Sequence, residues 1–217
     1  MTLAPGILAR GPWNPADIEV TWSDQPFALP PAVVDEADRA LGELRDRGSP
    51  SHDGLAARLA GFQAADHRLT LACEPVRWAL RLLDGDAMQS LSALCVVRSA
   101  DGAWLAGRRA PWLATWAERW ALGAAGSVEV GENPAETLSR ELAEEWSVAA
   151  DRLSVEALLK LPSGIVMLVG MAWLPDGAQV TPDAEHDDFA WWPPDVARWP
   201  EHADEPLRRL AALVHAA

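Results

Sequence analysis

The chain has 217 residues, 49% of them hydrophobic and 23% charged, with a formal net charge of −14. This composition suits a globular protein with enough apolar material for one large or two small cores, folding without disulfide staples. The acidic balance repels polyanions, which argues against nucleic-acid binding by a basic face and means that a phosphate-bearing ligand needs locally placed cations.

Residues 1–35 are rich in Pro, Trp and Asp with little periodicity, and they read as an irregular lead containing one short strand at 18–22. Over 33–48, apolar residues at Val34, Ala37, Leu41 and Leu44 predict a helix, and Gly48 is a suitable stop. The SPSHDG turn follows, with His52 and Asp53 read as solvent-exposed loop residues. LAARLAGF, the alternating RLTLAC and then VRWALRLL complete a small accessory module over residues 1–87.

Residues 88–217 form the second unit, and their pattern is more regular. ALCVVRS and AWLAGRRA on either side of ADG predict a hairpin over 93–110. WALGAAGSVEV, from Trp120, is a further strand with a glycine-rich bend. A helix over 134–146 comes next, then strands at 154–161 and 165–174, a short strand at FAWWP and a closing helix at EPLRRLAALVHA. Strands outnumber helices, so mixed sheets with packed helices are expected. Alternation sends one of Trp191 and Trp192 into the core. Cys73 and Cys95 lie in apolar stretches without metal-ligand spacing and read as buried, reduced thiols. No apolar run approaches the ~20 residues that span a bilayer, and the N-terminus lacks a basic start followed by a long apolar core, so a cytoplasmic protein without membrane contact is expected.

The segment 126–148, GSVEVGENPAETLSRELAEEWSV, concentrates charge of one sign. Asn133 is a strong N-cap, Pro134 suits the first helical position, and Glu136 can reach back to the cap, so the helix start is over-determined. Leu138, Leu142 and Ala135 supply its buried stripe. Glu141, Glu144 and Glu145 share a patch at spacings of three and four, with Arg140 placed to offset some repulsion and Glu132 just ahead of the helix. Carboxylates near a helix C-terminus also face the unfavourable end of the macrodipole, so local stability does not account for the arrangement. A hard divalent cation such as Mg²⁺, which takes carboxylate, water and phosphate oxygens, does.

In order, Gly126, Glu132, Arg140, Glu141, Glu144 and Glu145 resemble the box motif of the Nudix hydrolase superfamily, with Leu142 and Val148 at its aliphatic positions. At a frequency of about 0.07 for each specified residue, chance occurrence is on the order of 10⁻⁵ over the chain. The resemblance implies an α/β/α sandwich of mixed sheets and hydrolysis of a pyrophosphate bond in a nucleoside diphosphate linked to another moiety, with Mg²⁺ or Mn²⁺. It implies Glu144 and Glu145 as metal ligands, Glu141 as a third ligand or water-orienting carboxylate, Arg140 as their orienting cation and Glu132 as an anchor of the motif. The general base stays open among Glu141, Glu145 and the loop residue Glu185, and for Glu185 a solvated position is an equal reading. Arg108 and Arg109 at the hairpin end, with Gly126, are candidate substrate contacts for a small nucleotide derivative; for the arginines, a surface ion pair is the competing reading. Residues 52–83 are loosely similar to the N-terminal part of longer members, including a group acting on UDP-sugars. Such a module can cover the cleft, bind the second moiety or build a homodimer interface. Two departures, Ser127 and Ser147 where glycines are usual, leave open an alternative in which the fold binds nucleotides without turning them over.

Overall fold

The computed structural model describes residues 3–50, 53–83 and 87–215. Its larger sheet has eight strands. β1 (Gly6–Trp13), β9 (Arg152–Lys160), β10 (Val166–Trp173), β5 (Leu91–Arg98), β6 (Trp104–Arg109) and β11 (His186–Trp192) run across it in that order, with β7 (Trp120–Leu122) on β6 and β8 (Ala124–Ser127) on β5. β5 and β10 are parallel and every other pair is antiparallel, giving a mixed sheet. A second sheet carries β2 (Ile18–Trp22), β4 (Arg68–Arg77) and β3 (Leu55–Ala65), with β2 parallel and β3 antiparallel to β4.

Three helices cover these sheets: α1 (Pro31–Asp46), α2 (Pro134–Trp146) and α3 (Glu205–His215). β5 is buried on both faces, as its continuous apolar run LSALCVVR requires. On one face Leu91, Ala93, Cys95 and Val97 pack with Leu138, Leu142 and Trp146 of α2, and this core continues into Leu59, Leu69 and Leu71 of the smaller sheet. On the other, Leu94 and Val96 pack with Leu207, Ala211 and Val214 of α3, beside Trp104, Trp192 and Trp199. The result is the expected α/β/α sandwich. α1 buries Ala37 and Leu41 against Val76, Ala79 and Leu80. Both cysteines are free and buried. Trp192 enters the core while Trp191 stays exposed, as alternation requires. Among the described residues no helix is long and apolar enough to cross a membrane.

Two features of the N-terminal region differ from the expectation. The lead read as irregular contains β1, which leaves residues 14–83 and pairs with β9 at the edge of the larger sheet. Its register shifts twice and most of its residues are exposed or half-exposed, so backbone pairing rather than apolar alternation defines it. The apolar run after β4 is a single 3-10 turn, residues Trp78–Leu82, which buries Ala79 and Leu80.

The larger sheet splits near its middle. β5 and β6 pair only at Arg98 and Trp104, after which β8 takes β5 and β7 takes β6. Gly123, at φ +62°, carries the chain from one side of this split to the other, where a Cβ would strike the Cys95 carbonyl.

Candidate active site

α2 lies at the split, and the cap predicted from Asn133 holds its start. Ala135 N donates to Asn133 Oδ1 at 3.0 Å, and Asn133 N donates to Glu136 Oε2 at 3.4 Å. Asn133 Nδ2 also donates to Ile18 O at 2.8 Å, tying the helix start to the smaller sheet. At the other end Ser147 is left-handed, with φ 52° and ψ 36°, the conformation for which glycine is usual. The helix therefore ends in the same place with a serine, at a local cost of about 1 kcal/mol.

Arg140 is the hub of the acidic face. Its Nε and Nη2 donate to the two oxygens of Glu132 at 2.9 and 3.2 Å, and Nη2 also reaches Ser127 O at 3.1 Å. Nη1 donates to Glu141 Oε1 at 2.7 Å and to Glu144 Oε2 at 3.0 Å. Glu132 accepts a further bond from Glu129 N at 3.0 Å. Burial opposes its charge, but these donors hold its pKa below the ordinary value.

Glu141 and Glu145 stand differently. The Glu141 carboxylate fills the space where a Cβ on residue 126 would be, so Gly126 is required by this close approach. Burial pushes Glu141 up to about 7 despite Arg140. Glu145 is only 3% exposed. Its Oε1 accepts from Ala125 N at 3.0 Å, while its buried Oε2 has no hydrogen-bond partner among the described residues and lies 3.6 Å from His186 Nε2. Burial raises its pKa well above the ordinary carboxylate value, and Glu185 and Glu141 add to the effect. Glu144 is largely exposed.

The opposite wall comes from β6 and the segment before β11. Thr181 N and Asp183 N donate to Trp146 O and Glu145 O, both at 2.9 Å, which pins that segment to the end of α2. His186 packs on the Trp146 ring with centroids 4.5 Å apart, and a Cβ at Gly107 would strike its imidazole. Burial lowers its pKa and keeps the ring neutral, helped by the charge of Arg109. Arg109 Nε donates to Thr115 O at 3.2 Å, and its Nη2 lies 3.8 Å from Glu185 Oε2. Glu185 is part-buried, and its pKa is raised by burial although Arg109 offsets some of the rise. Arg108 points to the other face of β6 and forms a two-pronged pair with Asp187, at 2.7 and 2.8 Å.

The structure thus joins Glu132, Arg140, Glu141 and Glu144 by hydrogen bonds, sets Gly126 against Glu141, brings Glu145, Glu185 and Arg109 within electrostatic reach of one another, and leaves Arg108 in a surface ion pair. His186 and Arg81 belong to the same neighbourhood and were not singled out in the sequence. His186 directly follows Glu185, so its position in the chain was the available signal; Arg81 lay inside the apolar run VRWALRLL and had none. The N-terminal region reaches the opening through Trp78, whose Nε1 donates to Ser127 Oγ at 3.1 Å. A cleft of about 260 Å³ lies there, lined by Gly54, Ala56, Trp78, Glu129, Arg140 and Glu141. Asp53 is not a solvated loop residue: its Oδ2 accepts from Arg77 Nε at 2.8 Å and its Oδ1 from Ala79 N at 3.1 Å, closing the turn before residue 78. His52 lies outside the described residues.

Among the described residues no three His, Cys, Asp or Glu side chains converge as a ready-made metal cage. The donor set nonetheless fits a hard divalent cation. It offers the carboxylate oxygens of Glu141 and Glu145, whose burial raises both pKa values even though Arg140 pairs with Glu141, and the Oε2 of Glu145 is buried without a hydrogen-bond partner among the described residues.

A split mixed sheet thus carries a glutamate-rich helix at its opening. The NUDIX domain family model matches residues 88–213, and the chain belongs to the Nudix family. Similar solved structures include a MutT protein from Methanosarcina mazei (20% identity over 58% of this chain and 93% of that one, TM-score 0.45). The NUDIX domain of Shewanella oneidensis NrtR, solved with ADP ribose, has 18% identity over 58% of this chain and 86% of that one, with a TM-score of 0.46. A C. elegans Ap4A hydrolase has 18% identity over 58% and 96%, with a TM-score of 0.45. No curated protein matches the chain.

Proposed function

We propose that the protein hydrolyses a pyrophosphate bond in a nucleoside diphosphate linked to another moiety, a nucleotide-sugar or similar small nucleotide, with a divalent cation. The observation that carries this reading is the buried, unpartnered Oε2 of Glu145 beside the high-pKa carboxylate of Glu141. Buried carboxylates without compensating charge are costly, and their presence at an opening marks a site rather than a scaffold. Glu141, Glu144 and Glu145 are the residues that would hold Mg²⁺ or Mn²⁺. When bound, the ion neutralises charge on the pyrophosphate and makes water easier to deprotonate.

The remaining roles belong to the chain. Arg140 aims the Glu141 and Glu144 carboxylates, and Glu132 holds Arg140. Gly126 lets Glu141 lie against the strand. Glu185, with its raised pKa and Arg109 beside it, takes the proton from the attacking water as the P–O bond to the leaving phosphate breaks. Arg109 rather than Arg108 meets substrate phosphate, since Asp187 occupies the Arg108 guanidinium. Ser127 and Ser147 do not disable the motif: one receives Trp78 and the other adopts the left-handed cap. The two buried, unpaired cysteines suit the reducing cytoplasm, where we place the enzyme.

The test is product release from UDP-glucose, ADP-ribose, dinucleotides and nucleoside triphosphates, each with Mg²⁺, with Mn²⁺ and with chelator. Cleavage of one class that depends on the metal is the expected result. Silence across the panel, with metal and nucleotide binding retained, would make the protein a nucleotide-binding regulatory domain instead.

A further inference from the structure

On a chain of net charge −14, several guanidiniums find a carboxylate. Arg77 has Asp38 and Asp53, Arg108 has Asp187, and Arg140 has Glu132, Glu141 and Glu144. Arg81 is different. Among the described residues its side chain makes one hydrogen bond, from Nη2 to Ser92 Oγ at 2.8 Å, and its guanidinium lies 5.6 Å from the Trp78 ring centroid.

Its position is nevertheless well determined. Trp78 N donates to Gly54 O at 2.9 Å, Ala79 N to Asp53 Oδ1 at 3.1 Å and Trp78 Nε1 to Ser127 Oγ at 3.1 Å, while Ala79 and Leu80 are buried. Ser92, which receives Arg81, pairs across β5 and β8 with Ser127, the residue after Gly126. The turn Trp78–Leu82 thus sets Arg81 at the rim of the sheet split, next to the strand against which Glu141 packs. Glu141, Glu185 and Arg109 are all close enough to act on its charge. Burial lowers its pKa to about 10, so it remains a cation at neutral pH.

A half-buried arginine that pairs with no carboxylate among the described residues, set by an anchored turn beside the α2 carboxylates, is arranged to meet an anion from outside the chain. The geometry points to Arg81 as a substrate-binding residue for the diphosphate, contributed by the N-terminal region, which makes residues 1–87 part of the site rather than a separable accessory. Arg81 and Arg109 then supply the cationic side of the opening and the α2 carboxylates its metal side. This inference rests on the diphosphate-hydrolase reading above.

The test uses the full chain and α,β-methylene ADP as a diphosphate probe, bound in the presence of Mn²⁺ and followed by calorimetry, with Mn²⁺ binding alone and thermal melting as controls. Arg81→Met should weaken probe binding at least ~10-fold, the scale of a lost charge-assisted contact. It should leave Mn²⁺ affinity unchanged, and Arg81→Lys should recover part of the loss. With a cleaved substrate in hand, the same variants should raise KM more than they lower kcat. Arg81→Gln, which keeps a donor for Ser92 Oγ, decides the matter should Arg81→Met not fold. A wild-type protein that binds and cleaves diphosphates, with Arg81→Gln equal to it in probe affinity and KM, overturns the inference alone. A wild type that neither binds the probe nor cleaves any diphosphate overturns the reading beneath it, and the inference with it.

Discussion

The acidic cluster at α2 has two parts, the loop carboxylate Glu132 and the helix carboxylates Glu141 and Glu145, which carry the same kind of charge under opposite conditions. Around Glu132 every group is answered: Arg140 spans both carboxylate oxygens, Glu129 N adds a bond, and the Glu132 pKa falls. Around Glu141 and Glu145 the account does not close. Both carboxylates are more deeply buried, both pKa values rise, and Glu145 keeps an orphan oxygen. The first half has the character of a structural joint. The second carries a burial cost that Arg140 and Ala125 N relieve only in part, which is what the proposed cation site would use.

The largest effect that could break this contrast comes from Glu145→Gln. Turnover should fall by orders of magnitude, whereas the melting temperature in chelator should hold or rise, because a buried charge has been removed. A large drop in melting temperature instead would place Glu145 with the structural half.

A pH series sharpens the same point. The native pKa of Glu141 lies at about 7, above its ordinary value of 4.5. Between those values the folded chain holds more proton than the unfolded one, so stability falls as pH rises through 7. In chelator the melting temperature should drop by roughly a few degrees from pH 5 to pH 7.5, and saturating Mg²⁺ should flatten or reverse the trend. A melting temperature that rises with pH in chelator would contradict the assignment.

Glu132→Gln should act in the opposite sense. It removes charge from the answered half and costs about 1–2 kcal/mol of stability, measurable by denaturant titration, with a smaller loss of turnover than Glu145→Gln. Smallest of all, Ser147→Gly should raise stability by about 0.5–1 kcal/mol with unchanged turnover, since a left-handed cap suits glycine. Destabilisation by that change would mean that the serine makes a contact of its own.

Much of this was legible because the relevant signals are local. Asn133, Pro134 and Glu136 lie within one turn and set the start of α2, and Leu138 and Leu142 then fix which face is buried. The strand at Ile18–Trp22 and the hairpin of β5 and β6 likewise follow from short patterns. What escaped depends on distant partners. β1 contains Gly6, Gly11 and Pro12, shows no apolar alternation, and is a strand because β9, some 140 residues later, offers it an edge. His186 is buried by Gly107 and Trp146, each from a different element. Arg81 looked like one polar residue in an apolar run until the turn at 78–82 folded against β5 and β8. Asp53 looked exposed because nothing local revealed that Arg77 would close on it.

The central claim is that the unanswered carboxylates hold a divalent cation, and it is tested most directly by electron paramagnetic resonance titration of Mn²⁺ into the wild type and the Glu141→Gln/Glu145→Gln pair variant. The account predicts saturable binding by the wild type that is lost in the variant while both remain folded. Equal binding by the two proteins, or none by the wild type, would contradict it.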